Sequence, residues 1–360
     1  MKTLKARRMH RKAKALWRDG DTERAERLAL RALDLLPTAD SASLTRVADH
    51  VSVLETLAQF ASDLANHSEA QRRCDDALAL LEQVEPTASR DAWCVAILVH
   101  KGNSQRLSAA YDESALTLAH ALALSEQTPD SPLLPAGPLN ALGILAKDRG
   151  LYEDAGIYYN RALGLLDSDA EADALELAGI YHNLAGLAHV QNRFAEAEEP
   201  AQRAVRLRRA ASPPDPAGLA ADLSVLGAVL AGQERFDEAA ARLSEALALW
   251  HSLYGHRHYE VAVQLHNLAA IQQAKGDYST AEATLREALA IKRGILGESH
   301  PEIAGLLNNL ATVYLDTGQH REARECYDHA IEIFTQTLGE DHPSTAACIQ
   351  NRHHLDENRL

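Results

Sequence analysis

The chain is predicted to be all-α, an array of about eight antiparallel helix pairs closed by one further helix. Three observations carry that prediction. Residues 297–338 align with residues 255–296 without a gap, and thirteen of the 42 positions are identical, among them Gly255/Gly297, His258/His300, Asn267/Asn309 and Gly276/Gly318. A small residue recurs through the chain at Ala25, Ala70, Ser114, Ala155, Ala197, Ala239, Ala281 and Ala323, in steps of 41 to 45 residues. A second alanine follows each of these markers seven residues later, from Ala32 to Ala330. A fixed period of this length is the mark of stacked supersecondary units, and seven residues is two helical turns on one face.

Each unit reads as two helices. Small side chains let antiparallel helices approach closely, and a ring three residues before the marker fills the space beyond the turn. That ring is His67, Tyr111, Tyr152, Phe194, Phe236, Tyr278 or His320, and only Thr22 departs from the pattern. The units run over about 1–40, 41–86, 87–130, 131–170, 171–212, 213–254, 255–296 and 297–338. Residues 339–360 supply a cap helix and tail, so the whole chain reads as a single array. Most prolines fall between units or in a first turn, where a missing N–H does no harm. Pro200 lies inside a second helix and is expected to kink it or shift its start. Residues 128–135 and 212–216 are the longest linkers. The polar end of the cap helix, from Asn351 to Glu357, is expected to solvate the last outer face.

The alanine pairs, the L-x-N-L-A run and the G-x-x-H-P linker (Gly297 to Pro301, Gly339 to Pro343) resemble the tetratricopeptide repeat in its 42-residue kinesin light chain subtype. The resemblance implies a right-handed superhelix whose first helices line a concave wall. It also implies that His300 and His342 cap the helices they precede. A scaffold of this kind hosts many partners, so it does not fix a function.

Hydrophobic residues make up 46% of the chain, enough for a long buried core. The net charge is −15, yet residues 1–18 hold eight Lys or Arg and no acid. Those eight taken from 36 leave 28 basic against 51 acidic residues, which argues against nucleic acid as the main partner. Arg7, Arg11, Lys14 and Arg18, with His10, fall on one side of the first helix. That basic patch is a candidate contact for an acidic partner, an anionic membrane surface or the acidic flank of a second copy. Cys74, Cys94, Cys326 and Cys348 lack metal-ligand spacing and read as reduced thiols. No apolar run is long enough to span a membrane, and no secretory segment is recognised. The expected compartment is the cytoplasm.

No phosphate loop, H-E-x-x-H or G-x-S-x-G occurs, and the histidines lack the spacing for one ion. No catalytic residue, metal or cofactor is therefore expected. Positions −15, −14, −11 and −8 relative to each marker give the groove-facing set. It comprises His100, Asn103 and Arg106; Asn140 and Lys147; His182, Asn183 and His189; His266, Asn267 and Gln273; and Asn308 and Asn309. Repeat six differs, with Ser224, Val225, Ala228 and Ala231 making a small apolar patch. Amides and imidazoles both donate and accept hydrogen bonds, which suits an extended peptide backbone. The same amides also suit bonds between neighbouring helices of the stack. In the family the L-x-N-N-L-A asparagines hold a cargo peptide; Leu306 to Ala311 matches that motif, and His266-Asn267 and His182-Asn183 match in part. The expected function is a non-catalytic scaffold that binds a protein or peptide. A sensor of a peptide or small ligand that changes superhelical pitch is the alternative. An enzyme using His182, His189 or His266 is the remaining one.

Overall fold

A computed structural model describes residues 2–18, 20–36, 44–128, 134–166 and 173–357. Most of the 128–135 linker, and Pro37, Pro129 and Pro132, lie outside the described residues, as do the side chains of Arg18, Leu44, Thr45, Arg46, Asp356 and Glu357. Seventeen helices and no strand are present among the described residues. The first helices of the pairs are α1 (Lys2–Arg18), α3 (Leu44–Asp63), α5 (Ala88–Leu107), α7 (Ala136–Asp148), α9 (Ala174–Val190), α11 (Pro216–Gly232), α13 (Tyr259–Ala274) and α15 (Pro301–Asp316). The second helices are α2 (Thr22–Leu35), α4 (His67–Glu82), α6 (Tyr111–Glu126), α8 (Tyr152–Leu163), α10 (Phe194–Ala210), α12 (Phe236–Tyr254), α14 (Tyr278–Leu296) and α16 (His320–Leu338). The last helix is α17 (Pro343–Glu357), packed on α16. The helices form two compact units, Met1–Asp173 and Ala174–Leu360.

The marker series explains the packing inside each pair. All eight markers and all eight alanines seven residues on are fully buried. Every second helix begins three residues before its marker, Thr22 included, so the register holds even where the ring is absent. Twelve residues before the marker stands another small residue: Ala13, Ala58, Gly102, Gly143, Ala185, Gly227, Ala269 or Ala311, all of them buried. A larger one faces the glycines from four residues after the marker. A Cβ at Gly102, Gly143 or Gly227 would lie 2.6, 2.4 or 2.6 Å from Leu118, Tyr159 or Leu243. Volume removed from one helix is thus returned by the other, as a close-packed interior requires. Ser114 keeps the size of the alanine it replaces, and its hydroxyl donates to the Gly102 carbonyl at 2.8 Å. The ring at the turn does fill space at Phe194, which packs where a Cβ on Gly232 of the next pair would stand. Tyr111 and Tyr152 are instead partly exposed.

The helix ends are set locally. Asp21, Asn66, Thr87, Asp215 and Asp277 accept a backbone N–H from the first turn of the helix that follows. The imidazole Nδ1 atoms of His258, His300 and His342 do the same, from Glu260, Glu302 and Ser344 at 3.3, 3.2 and 3.1 Å. The capping role expected of His300 and His342 is what is found. Pro216 and Pro301 open their helices. α10 runs through Pro200 from Phe194 to Ala210, and its start is not shifted, since Phe194 keeps the register of the other second helices.

All eight turns within pairs place the residue five before the marker at positive φ. Four are glycines (Gly20, Gly150, Gly276, Gly318), and four are Ala65, Ala109, Asn192 and Glu234, with φ between 56° and 62°. A side chain at this left-handed position costs about 1 kcal/mol or more. Glu234→Gly is therefore expected to raise stability by roughly 1 kcal/mol, and Gly276→Ala to lower it by a similar amount. Nothing lies within 4 Å of a Cβ built on Gly276, so its effect is conformational alone. Chemical denaturation of the two variants checks both signs.

The cap helix does more than solvate. Cys348 and Leu355 are buried, and Asn351 is half-buried and bonded to the preceding repeat. The end of the helix is polar as expected, but Asn351 and Leu355 face the stack.

Candidate functional site

At position −15 from the marker, His10, Asn140, His182, Ser224, His266 and Asn308 are all half-buried. Within each unit, hydrogen bonds cross from this face of one first helix to the first helix of a neighbouring pair.

In unit 2 the central feature is a directional chain of amides. Asn351 Nδ2 on α17 donates to Asn308 Oδ1 on α15 at 3.1 Å. Asn308 Nδ2 donates to Asn309 Oδ1 at 3.3 Å, and Asn309 Nδ2 donates to His266 Nε2 on α13 at 2.6 Å. Burial pushes His266 below its ordinary pKa, which favours the neutral ring, and the Asn309 bond takes the tautomer with Nε2 as acceptor. Bonds in one direction polarise one another and strengthen the row. Each amide still has a second N–H and a second lone pair for a ligand. Gln273 Nε2 donates to Asp316 at 2.8 Å, one helix across. Asn183 and Asn267 are half-buried on the same face. Val225 packs on the hydrophobic core of α11 and its neighbours, and Ala228 beside it is half-buried.

His182 is held differently. Its Nδ1 meets Asp222 Oδ1 of α11 at 2.9 Å, and the Asp222 side chain is fully buried. Arg208, near the end of α10, closes the network with Nε 2.7 Å from Asp222 Oδ2 and a second bond to Asp215. The imidazole itself remains 31% exposed. His189 lies edge-on to Phe194 with ring centroids 5.4 Å apart, and burial pushes its pKa down. Asp222 was not visible in the sequence as a site residue. Its partners come from two other helices at unrelated spacings, and no repeat period exposes it.

In unit 1 the same face is stitched by other chemistry. His100 Nε2 lies 3.4 Å from Ser62 Oγ, and burial depresses its pKa. Arg106 pairs with Asp148 at 2.5 Å. Asn103 Oδ1 is buried with no hydrogen-bond donor among the described residues. Asn140 and Lys147 are half-buried. Two residues of the basic first helix are held from α3. Arg7 Nε reaches both oxygens of Asp49 at 2.8 and 3.0 Å, and His10 lies 2.7 Å from Thr56. Burial, with Lys14 nearby, pushes His10 down to about 4, so it is neutral at pH 7. Arg11 and Lys14 are exposed, and the Arg18 side chain lies outside the described residues.

The four cysteines are unbonded. Burial pushes Cys74 up to about 12 and Cys348 up to about 11, which leaves them protonated and inert at neutral pH. No described helix is long and apolar enough to cross a membrane.

Stacked antiparallel helix pairs of fixed period, with small residues at every crossing, define a helical-repeat protein. Models described as tetratricopeptide repeat match residues 219–294 and 302–352, and residues 177–217. Residues 177–352 are tetratricopeptide repeats, and the helix pairs before them keep the same register. The fold is similar to that of BtubC (BKLC) from P. vanneervenii, at 21% identity and a TM-score of 0.51, over 72% of this chain and 95% of that one. It is also similar to a signal transduction ATPase with numerous domains (STAND) with a tetratricopeptide repeat sensor, from Pyrococcus horikoshii. That likeness has 13% identity and a TM-score of 0.60, over 93% of this chain and 50% of the other. A Rap protein complexed with competence and sporulation factor matches at 14% identity and a TM-score of 0.57, over 86% of this chain and 88% of that one. A search of curated protein sequences returned no match.

Proposed function

We propose that this protein is a non-catalytic scaffold that binds an extended peptide or a partner protein on its first-helix faces. The observation that carries the reading is the amide row of unit 2, Asn351 to Asn308 to Asn309 to His266, interrupted at Val225 and Ala228. A peptide along such a face meets groups that donate and accept, and an apolar patch for a bulky side chain. The resemblance of residues 306–311 to the L-x-N-N-L-A motif supports it. Unbonded cysteines fit a reducing compartment, and the cytoplasm remains part of this reading.

The bonds already made decide which variants test the idea. Asn309 bridges two neighbours, so Asn309→Ala removes stack and ligand bonds together and should lower the melting temperature. Asn267→Ala is the cleaner change, since Asn267 is half-buried and stands outside the amide row. It is expected to weaken binding by about 1–3 kcal/mol with the melting temperature unchanged, if it meets a buried peptide group. Ala228→Phe should block the patch by bulk. Titration calorimetry with the species that stays bound through purification, paired with thermal melts, measures both. Unchanged affinity in Asn267→Ala and Ala228→Phe together would place binding elsewhere.

A further inference from the structure

The opposite side of unit 1 carries a surface that the repeat pattern does not require. Two residues after the marker, the second helices present Arg27, Arg72, Glu199, Ala241, Ala283 and Glu325. Only α6 and α8, which are consecutive second helices, place large apolar residues there. Leu116 is 74% exposed and Ile157 57%. The exposed stripe of α6 continues through Ala119 and Ala123.

A hollow lies on each side of that stripe. One of about 570 Å³ opens between α4 and α6 over α5, with Leu78, Cys94, Leu98 and Leu124 in its wall. The other, of about 610 Å³, opens between α6 and α8, lined by Ala115, Leu122, Leu142 and Tyr158. Leu116 lines both. The wall of the first hollow also holds Asp75, Glu82, Arg90, Lys101 and His120, and that of the second is mainly apolar. Large apolar groups left in water beside such hollows mark an interaction surface.

The charges around it identify the occupant. Arg90, Lys101, Arg149 and Arg161 each already face a carboxylate: Asp91, Asp75, Asp112 and Glu126. Glu82, Glu113, Glu153 and Asp154 are exposed and have no ion-pair partner among the described residues. The uncompensated charge on these helices is therefore all negative. A second copy would bring these uncompensated acids, Glu82, Glu113, Glu153 and Asp154, against their own image, negative on negative.

We propose that this face docks an amphipathic helix of a partner protein, with two bulky apolar anchors about seven residues apart and basic residues at both ends. Packed helices lie roughly 8–10 Å apart, so hollows on either side of one helix are separated by about that distance. Seven helical residues span about 10.5 Å, which lets one helix crossing α6 fill both. The site is separate from the first-helix face and stands or falls independently of it.

The test uses the full chain and three labelled helical peptides of about fifteen residues, read by fluorescence anisotropy. The first has two tryptophans seven residues apart and lysines at both ends. The second has glutamates in place of the lysines, and the third has alanines in place of the tryptophans. The first is expected to bind at least about tenfold more tightly than the other two. Leu116→Asp and, separately, Ala119→Asp should weaken it about tenfold or more, and Asn267→Ala should leave it unchanged. Both substituted positions are exposed, and circular dichroism and melting confirm that the variants fold. The proposal is overturned if the first peptide does not bind, if the glutamate or alanine peptide binds as well, or if neither aspartate variant weakens it. It is also overturned if sedimentation shows a dimer that Leu116→Asp splits, because a second copy then occupies the face.

Discussion

Replacing Asp222 by alanine is expected to destabilise the protein by about 3 kcal/mol or more, the scale set by removing one partner of a buried ion pair. The carboxylate is fully buried and holds two groups at once, His182 Nδ1 at 2.9 Å and Arg208 Nε at 2.7 Å. Such a removal costs about 3–5 kcal/mol because the remaining charge is left desolvated. Arg208 is only 11% exposed, so water cannot replace the lost carboxylate easily, although Asp215 remains beside it. Asp222→Asn keeps the shape and an acceptor but not the charge, and should fall between alanine and wild type. His182→Ala should cost only about 1 kcal/mol, the scale of one hydrogen bond from a partly exposed ring. Denaturant unfolding of the three variants gives the order. A loss for Asp222→Ala no larger than that for His182→Ala would mean that the network is not what joins α9, α10 and α11.

Deleting residues 297–338 as a block is expected to leave a cooperatively folding helical protein. The new junction would bring α17 to the place of α15, and the two ends are alike. Gly297 and Gly339 end their helices at φ 84° and 92° with ψ 172° and 164°, a conformation essentially reserved for glycine. His342 caps the next helix as His300 does. Asn351 lies one repeat period after Asn309 and would inherit its place opposite His266. Stability should fall, since an array loses one unit and one interface. Deleting only 297–316 removes α15 and leaves the buried faces of α14 and α16 mismatched, so that form should lose cooperative melting. Circular dichroism and thermal melts of both proteins decide it, and equal damage would break the assigned register.

How far the fold was legible follows from what repeats. The markers, their partners seven residues on and the start of every second helix are periodic, and the structure places them all. Periodicity also hid features. The left-handed turn position is invisible at Ala65, Ala109, Asn192 and Glu234, because glycine announces it only in the other four repeats. Leu116 and Ile157 read as ordinary apolar helix residues until the register puts them outside. The pairing of Arg7 with Asp49 could not be read from the basic first helix, because Asp49 is remote in sequence and belongs to no motif. In the candidate site, residue type and spacing selected the first-helix face, but not which amides bond one another. That choice depends on the close geometry between neighbouring helices, which no single repeat encodes.

Hydrogen–deuterium exchange of the full chain tests the central claim most directly, measured with and without the species that co-purifies with it. If the first-helix faces bind it, protection should appear on α11, α13 and α15, around Val225, His266 and Asn309, and should disappear in Ala228→Phe. Protection confined to the second helices, with the first helices exchanging as in the free protein, would contradict the account.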